Sequence, residues 1–138
     1  DEDRWEERAS LSHAREGLAC ASLGGYVYAA GGFDGFTVLR TVERYDPTRD
    51  RWDVLSNLVV VPRAFMGLEA YEGNLYLIGG TDNTGSFLDS VEIMHPSTAE
   101  TVTDHDVGNG SEERRDSWLL RNDLRLPVPM SNFVSFVL

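Results

Sequence analysis

The chain has 138 residues, 41% of them hydrophobic and 10% aromatic, a size and composition suited to one globular domain that buries roughly two-thirds of its unfolded surface. Twelve basic against 23 acidic side chains give a formal net charge of -11, a surface that repels phosphates and anionic lipid and so argues against nucleic acid or a membrane as the principal partner. The single cysteine, Cys20, can form no internal disulfide and no Cys-rich zinc site, which points to a reducing compartment, and apolar stretches such as 58–61 fall far short of the ~20 residues that cross a bilayer.

The opening DEDRWEER has neither a starting methionine nor the basic and apolar regions of a signal peptide, so the chain is expected to continue a longer polypeptide. Short runs rich in Val, Leu and Tyr follow, separated by AspPro, GlyGly and GlyAsn punctuation and without a sustained 3.6-residue period. They predict strands over 17–23, 26–32, 40–46 and 51–55, with Asp46-Pro47 turning the third into the fourth. A second set is predicted over 65–71, 74–80 and 88–94.

The two sets are copies of one another. Arg15 and Arg63 lie 48 residues apart, as do Tyr28 and Tyr76 and the pairs Gly31-Gly32 and Gly79-Gly80. One extra residue near Gly85 shifts the match to 49, with Val42-Glu43 over Val91-Glu92 and Pro47 over Pro96. Thr101 stands where the second copy should repeat Trp52, and Trp118 is the displaced tryptophan, which leaves 98–116 as a polar loop inserted before the fourth strand. A third copy begins at Pro129, and Leu138 aligns with Leu23 and Tyr71, the ends of the two earlier first strands.

In combination these residues resemble the kelch repeat: Arg15, Gly25, Tyr28, Gly31-Gly32, the run 42–47 (VERYDP) and Trp52, then a weaker set at Arg63, Gly73, Tyr76, Gly79-Gly80, Val91-Glu92 and Pro96. The resemblance implies an all-β chain, a partial β-propeller of two four-stranded antiparallel blades with one stray strand at each end. Residues 1–10 with Trp5 would be the final strand of a preceding blade, 11–57 the first repeat, 58–125 the second with its insertion, and 126–138 the first strand of a third. Two blades without neighbours leave hydrophobic faces open, so an isolated pair is expected to be marginal and sticky.

Sites of small-molecule chemistry find little support. The GlyGly pairs are not followed by a helix or by Lys-Ser/Thr, so they read as backbone passing a close neighbour at a strand end and not as a phosphate loop. Asp104-His105-Asp106 with Glu112 and Glu113 fails the calcium-loop pattern at Gly108, Asn109 and Arg115, and reads as a solvated acidic loop. His13, His95 and His105 have no clustered ligands, Asn109-Gly110-Ser111 is an accidental glycosylation pattern, and Cys20 reads as a small buried hydrophobe. No nucleophile constellation is present, and no metal or cofactor is expected.

What remains is a binding surface. By the resemblance, Arg15 and Arg63 stand at the mouth of the central pocket, where arginine's planar fork would grip an acidic or turn-forming peptide. Glu16, Ala64 and Ser131 are the matching neighbours, and Met130 takes the place of a third arginine. Phe33, Asp34 and Phe36 in one loop, with Asp82, Asn83 and Phe87 in the other, are further contacts. The competing reading of Arg15 and Arg63 is a salt bridge holding adjacent blades, and both readings stand on the sequence.

GGFDG with VERYDP looks like the propellers of BTB-kelch proteins, which implies a non-enzymatic module that recognises a protein or peptide substrate for a cullin-type ubiquitin ligase in the cytoplasm or the nucleus. The BTB part that would contact a cullin is not in these residues. An actin-binding kelch protein is an alternative, and a kelch-fold copper oxidase a remoter one, since axial tyrosine, histidine and cysteine ligands are not visible.

Overall fold

The structure, a computed structural model, describes residues 3–56, 58–96 and 117–130. Eight strands form two antiparallel sheets. The first contains β1 (Ala19–Leu23), β2 (Tyr26–Ala30), β3 (Val42–Asp46) and β4 (Arg51–Val54), in that order. The second contains β5 (Gly67–Tyr71), β6 (Asn74–Ile78), β7 (Ser90–Met94) and β8 (Trp118–Arg125). Each sheet is one blade, and no helix occurs among the described residues.

The seven predicted strands are each a residue or two shorter than expected, and in β1, β2 and β6 the flanking glycines Gly17, Gly31-Gly32 and Gly79-Gly80 fall outside the ladder. Gly31 and Gly32 follow β2 at φ 59° and 98°, left-handed values that end the ladder. Met94 pairs with Trp118 as Tyr45 pairs with Trp52, so the fourth strand of the second blade starts at the displaced tryptophan. The insertion at 98–116 lies outside the described residues. Residues 3–10, expected as a fourth strand, take no sheet pairing, since the third strand they would need is not in the chain, and Trp5 is fully exposed.

Period-2 alternation assigns the faces. Ala19, Ala21 and Leu23 of β1 share one face with Tyr26, Tyr28 and Ala30 of β2, and this face meets Leu68, Leu75, Leu77, Met94 and Trp118 of the second blade. Val59, Met66 and Val42 complete the core. Cys20 alternates onto the opposite face and is exposed, which corrects its expected burial: the small residues on either side of it, Ala19 and Ala21, are the ones packed against the second blade.

The linker between blades runs through 58–66 and is stitched to both. Towards the first blade, Val59 N–H donates to Arg40 O (3.0 Å), Arg40 Nε–H to Val59 O (2.8 Å), and Gly32 N–H to Arg63 O (2.9 Å). A Cβ on Gly32 would lie 2.8 Å from Glu16 O, and one on Gly31 would overlap Arg63 O, so the double glycine lets neighbouring backbone dock where a side chain would stand. Met130 repeats the arrangement against the second blade, accepting from Gly80 N–H at 2.8 Å and donating to Leu88 O at 3.1 Å.

Gly35 offers a control, because its φ of 96° matches that of Gly32 but its Cβ position is open. Gly35→Ala should therefore cost only the backbone strain, about 1–2 kcal/mol, whereas Gly32→Ala adds a steric displacement of the blade junction and should cost at least ~1 kcal/mol more by denaturant titration. Equal losses at the two positions would show that close approach is not what selects glycine at residue 32.

Candidate functional site

One end of both blades gathers the residues that sequence reasoning selected. The approach to β1 (13–18), the loop from β2 to β3 (31–41), the approach to β5 (63–66) and the loop from β6 to β7 (79–89) all lie there, because antiparallel order returns those ends to one side. Bridges Glu16 to Phe33 and Phe33 to Val38 close the first loop, and Ala64 to Thr81 and Thr81 to Phe87 close the second. Val38 N–H donates across to Asn83 Oδ1 (3.0 Å) and Phe65 N–H to Gly17 O (2.7 Å), so the two halves form one continuous surface.

Asp34 and Asp82 organise the loop tips. Asp34 Oδ1 accepts from the amides of Phe36 and Thr37, both at 2.8 Å; Asp82 Oδ1 accepts from Thr84 N–H (2.8 Å), Thr84 Oγ1 (2.7 Å) and Ser86 N–H (3.1 Å). These bonds stabilise the charged form: the Thr37 and Phe36 amides hold Asp34 below the ordinary carboxylate range, as the Thr84 hydroxyl and amide hold Asp82. Both aspartates therefore carry full charge at neutral pH.

The expected arginine rim is not a rim. The side chains of Arg15 and Arg63 are wholly buried. Arg63 Nη1 donates to Gly79 O (2.9 Å) and Ser90 O (3.1 Å), and Nη2 donates to Ser90 Oγ (3.0 Å) and Glu92 Oε1 (2.7 Å). Arg15 repeats the pattern on Gly31 O, Thr41 O, Thr41 Oγ1 and Glu43 Oε1, the last at 2.7 Å, with only its Nε unpartnered. Both guanidiniums thus tie a double glycine to the third strand of their own blade. The salt bridge is real but lies within a blade, not between blades.

The glutamates extend that role to the linker. Glu92 accepts from Val60 N–H (2.6 Å) and Val61 N–H (2.9 Å), as Glu43 accepts from Ser12 N–H (2.7 Å). Each buried pair therefore fixes both its own strand and the chain arriving from the blade before it. Burial works to raise the Glu43 pKa and to lower that of Arg63, but the Ser12 amide and Arg15 outweigh it for Glu43, whose carboxyl ends below its ordinary value.

At this surface Glu16, Asp34 and Phe36 are exposed, Phe36 at 91%, and Phe33 is half-buried. Phe87 is 61% exposed. Ala64 is buried and cannot be reached, and Ser131 lies outside the described residues. Ala14, Arg15, Glu16, Phe33, Asp34 and Gly35 line an open cavity of about 370 Å³. Phe65, which sequence reasoning passed over, sits beside them with its ring against Gly17 and 41% of it exposed. Among the described residues no group of three or more His, Cys, Asp or Glu side chains is placed to hold a metal ion.

Removing the arginine should expose how much depends on these pairs. Arg63→Met leaves a buried uncompensated Glu92 and should cost about 3–5 kcal/mol by urea denaturation. Adding Glu92→Leu should not restore wild-type stability, because the Val60 and Val61 amides then lose their acceptor; full recovery would reduce the glutamate to a mere counter-ion. The lowered Glu43 pKa gives a sign for pH: its contribution is complete above the unfolded value of roughly 4.3 and fades as pH falls through the folded value, so Glu43→Gln should flatten the acid limb of the stability profile.

The comparisons with known proteins agree with this architecture. Residues 14–59 and 62–100 match the Kelch motif family. Kelch-like protein 11 of Homo sapiens is 36% identical over 97 residues, 70% of this chain and 13% of that protein. Kelch-like protein 35 of Mus musculus is 35% identical over 99 residues, 67% of this chain and 16% of that protein. The Influenza virus NS1A-binding protein homolog of Mus musculus is 38% identical over 82 residues, 59% of this chain and 13% of that protein. The chain thus spans only a small fraction of the length of the curated relatives it matches. A solved structure titled "Structure of YjhT" superposes with a TM-score of 0.66 over 84% of this chain and 40% of its own, at 15% identity, a likeness of fold alone. With two matched motifs, two four-stranded blades and the Arg–Glu pair recurring in both, the chain belongs to the kelch-repeat family.

Proposed function

We propose that this segment recognises a protein partner through the loop surface formed by residues 33–38 and 81–88, with Glu16 and Phe65 at its centre, and that it does so without catalysis. The observation that carries the reading is Phe36, 91% exposed at the tip of a loop whose conformation Asp34 fixes. A large aromatic held in water by a rigid turn has lost much of its entropy before it binds, which is the usual condition of an interface anchor. Nothing about packing within the blades asks for that ring.

We further infer a role as substrate adaptor of a cullin-type ubiquitin ligase, working in the cytoplasm or nucleus, a reading supported by Kelch-like proteins 11 and 35, whose sequences run alongside this one over 70% and 67% of its length. Contact with a cullin would fall to a BTB domain outside these residues. Actin binding stays as the second protein-partner reading, since exposed loops of this kind serve either.

Two measurements test these steps. Partner capture by the full polypeptide should fall sharply in the Phe36→Ala, Phe87→Ala double variant; undiminished capture by the folded variant would move the interface elsewhere. Cullin should co-purify with the full polypeptide, and its absence from such preparations, with actin present instead, would replace the adaptor role by the cytoskeletal one.

A further inference from the structure

We infer that the partner segment seated on this loop surface is cationic and presents an arginine or lysine side chain to it, a conclusion that rests on the loop surface being the binding site. This reverses the polarity that the exposed-arginine reading implied.

The first reason is the fate of the basic groups. The sequence contains no lysine, so arginine supplies every permanent cation. Arg15 and Arg63 are consumed by Glu43 and Glu92, Arg40 donates to Val59 O, and Arg125 pairs with Asp89. Arg44 stands over the Tyr26 ring at 4.5 Å, and the remaining described arginines pair with carboxylates two or three residues away. Among the described residues of 13–18, 33–38 and 81–88, beyond the buried Arg15, the charged side chains are Glu16, Asp34 and Asp82 and the one titratable base is His13, while the exposed Arg40 lies just outside these segments. The side-chain bonds that shape the two loop tips fall on Oδ1 of Asp34 and Oδ1 of Asp82.

Phe65 is the second and independent reason. Its φ of 56° lies in the left-handed region, which disfavours a side chain as bulky as phenylalanine. Gly17, its counterpart in the first repeat, has a φ of 58°, so the same backbone turn is made there with glycine. A strained, partly exposed aromatic where the fold accepts glycine is a residue kept for contact. With Phe36 and Phe87 it adds exposed aromatic surface to the end of the blades that carries Glu16, Asp34 and Asp82, a combination that takes a guanidinium or ammonium through cation–π and charge-assisted bonds and offers an acidic segment only repulsion. The net charge of -11 steers a cation to the same surface from a distance.

The experiment uses the full polypeptide against an array of short random-sequence peptides, followed by anisotropy titration of the captured ones at low and high salt. Captured peptides should be net positive and rich in arginine or lysine, and should weaken with salt. Asp34→Asn with Asp82→Asn, which keeps each Oδ1 turn acceptor, should weaken them about tenfold or more and reduce the salt dependence. Phe65→Gly should weaken them without unfolding the blades, as judged by circular dichroism. Acidic or neutral peptides that still depend on Phe36 and Phe87 would overturn the cationic partner and leave the loop surface standing. Peptides indifferent to every loop variant, or none captured, would overturn both.

Discussion

Everything at the loop end hangs on a buried arginine whose guanidinium reads five acceptors at once. Arg63 gathers the carbonyls of Val61 and Gly79, the carbonyl and hydroxyl of Ser90, and the carboxylate of Glu92. A charge taken out of water is tolerated only when its donors are met, and a planar five-donor group meets backbone and carboxylate together in a way an ammonium could not. Since the Gly79 and Ser90 carbonyls bracket the β6–β7 loop, the guanidinium sets where that loop leaves the sheet and returns to it. The geometry of the recognition surface is therefore decided beneath it.

Glu92 makes this local arrangement a property of the repeat. By accepting from Val60 and Val61 it holds the incoming linker, whose Arg63 carbonyl then docks on Gly32 of the first blade. One ion pair thus couples the loop of its own blade to the position of the blade before. Apolar packing of Tyr28, Ala30 and Val42 against Leu75, Leu77 and Trp118 supplies most of the attraction between blades, but it is non-directional, and the hydrogen-bonded linker fixes the register in which the two faces meet.

Recurrence made the fold readable. Tyr28 over Tyr76 and GlyGly over GlyGly placed seven strands to within two residues, and even the missing tryptophan at 101 led to Trp118. The site was harder, because a recurring arginine looks the same whether it faces water or a carboxylate. A signal was nonetheless present: Glu43 follows Arg15 by 28 residues and Glu92 follows Arg63 by 29, and two opposite charges that recur together are better read as partners than as a rim and a strand. Cys20 was misplaced for a different reason, since ACASL alternates small residues and nothing in its pattern says which face is covered. Phe65 left no pattern at all; only its backbone angle, measured against Gly17, marks it.

The division of labour explains why one frame can serve different partners. Arg15, Glu43, Arg63, Glu92 and the double glycines keep their bonds whatever occupies the loop tips, because those bonds end on backbone and on one another. The tips are then free to differ, as the first loop's FDGF and the second's longer DNTGSF do, with each aspartate holding its own turn. A position inside the frame that departs from its counterpart, as Phe65 does from Gly17, is accordingly more telling than variation at the tips: it carries a backbone cost at a turn that glycine makes in the first repeat.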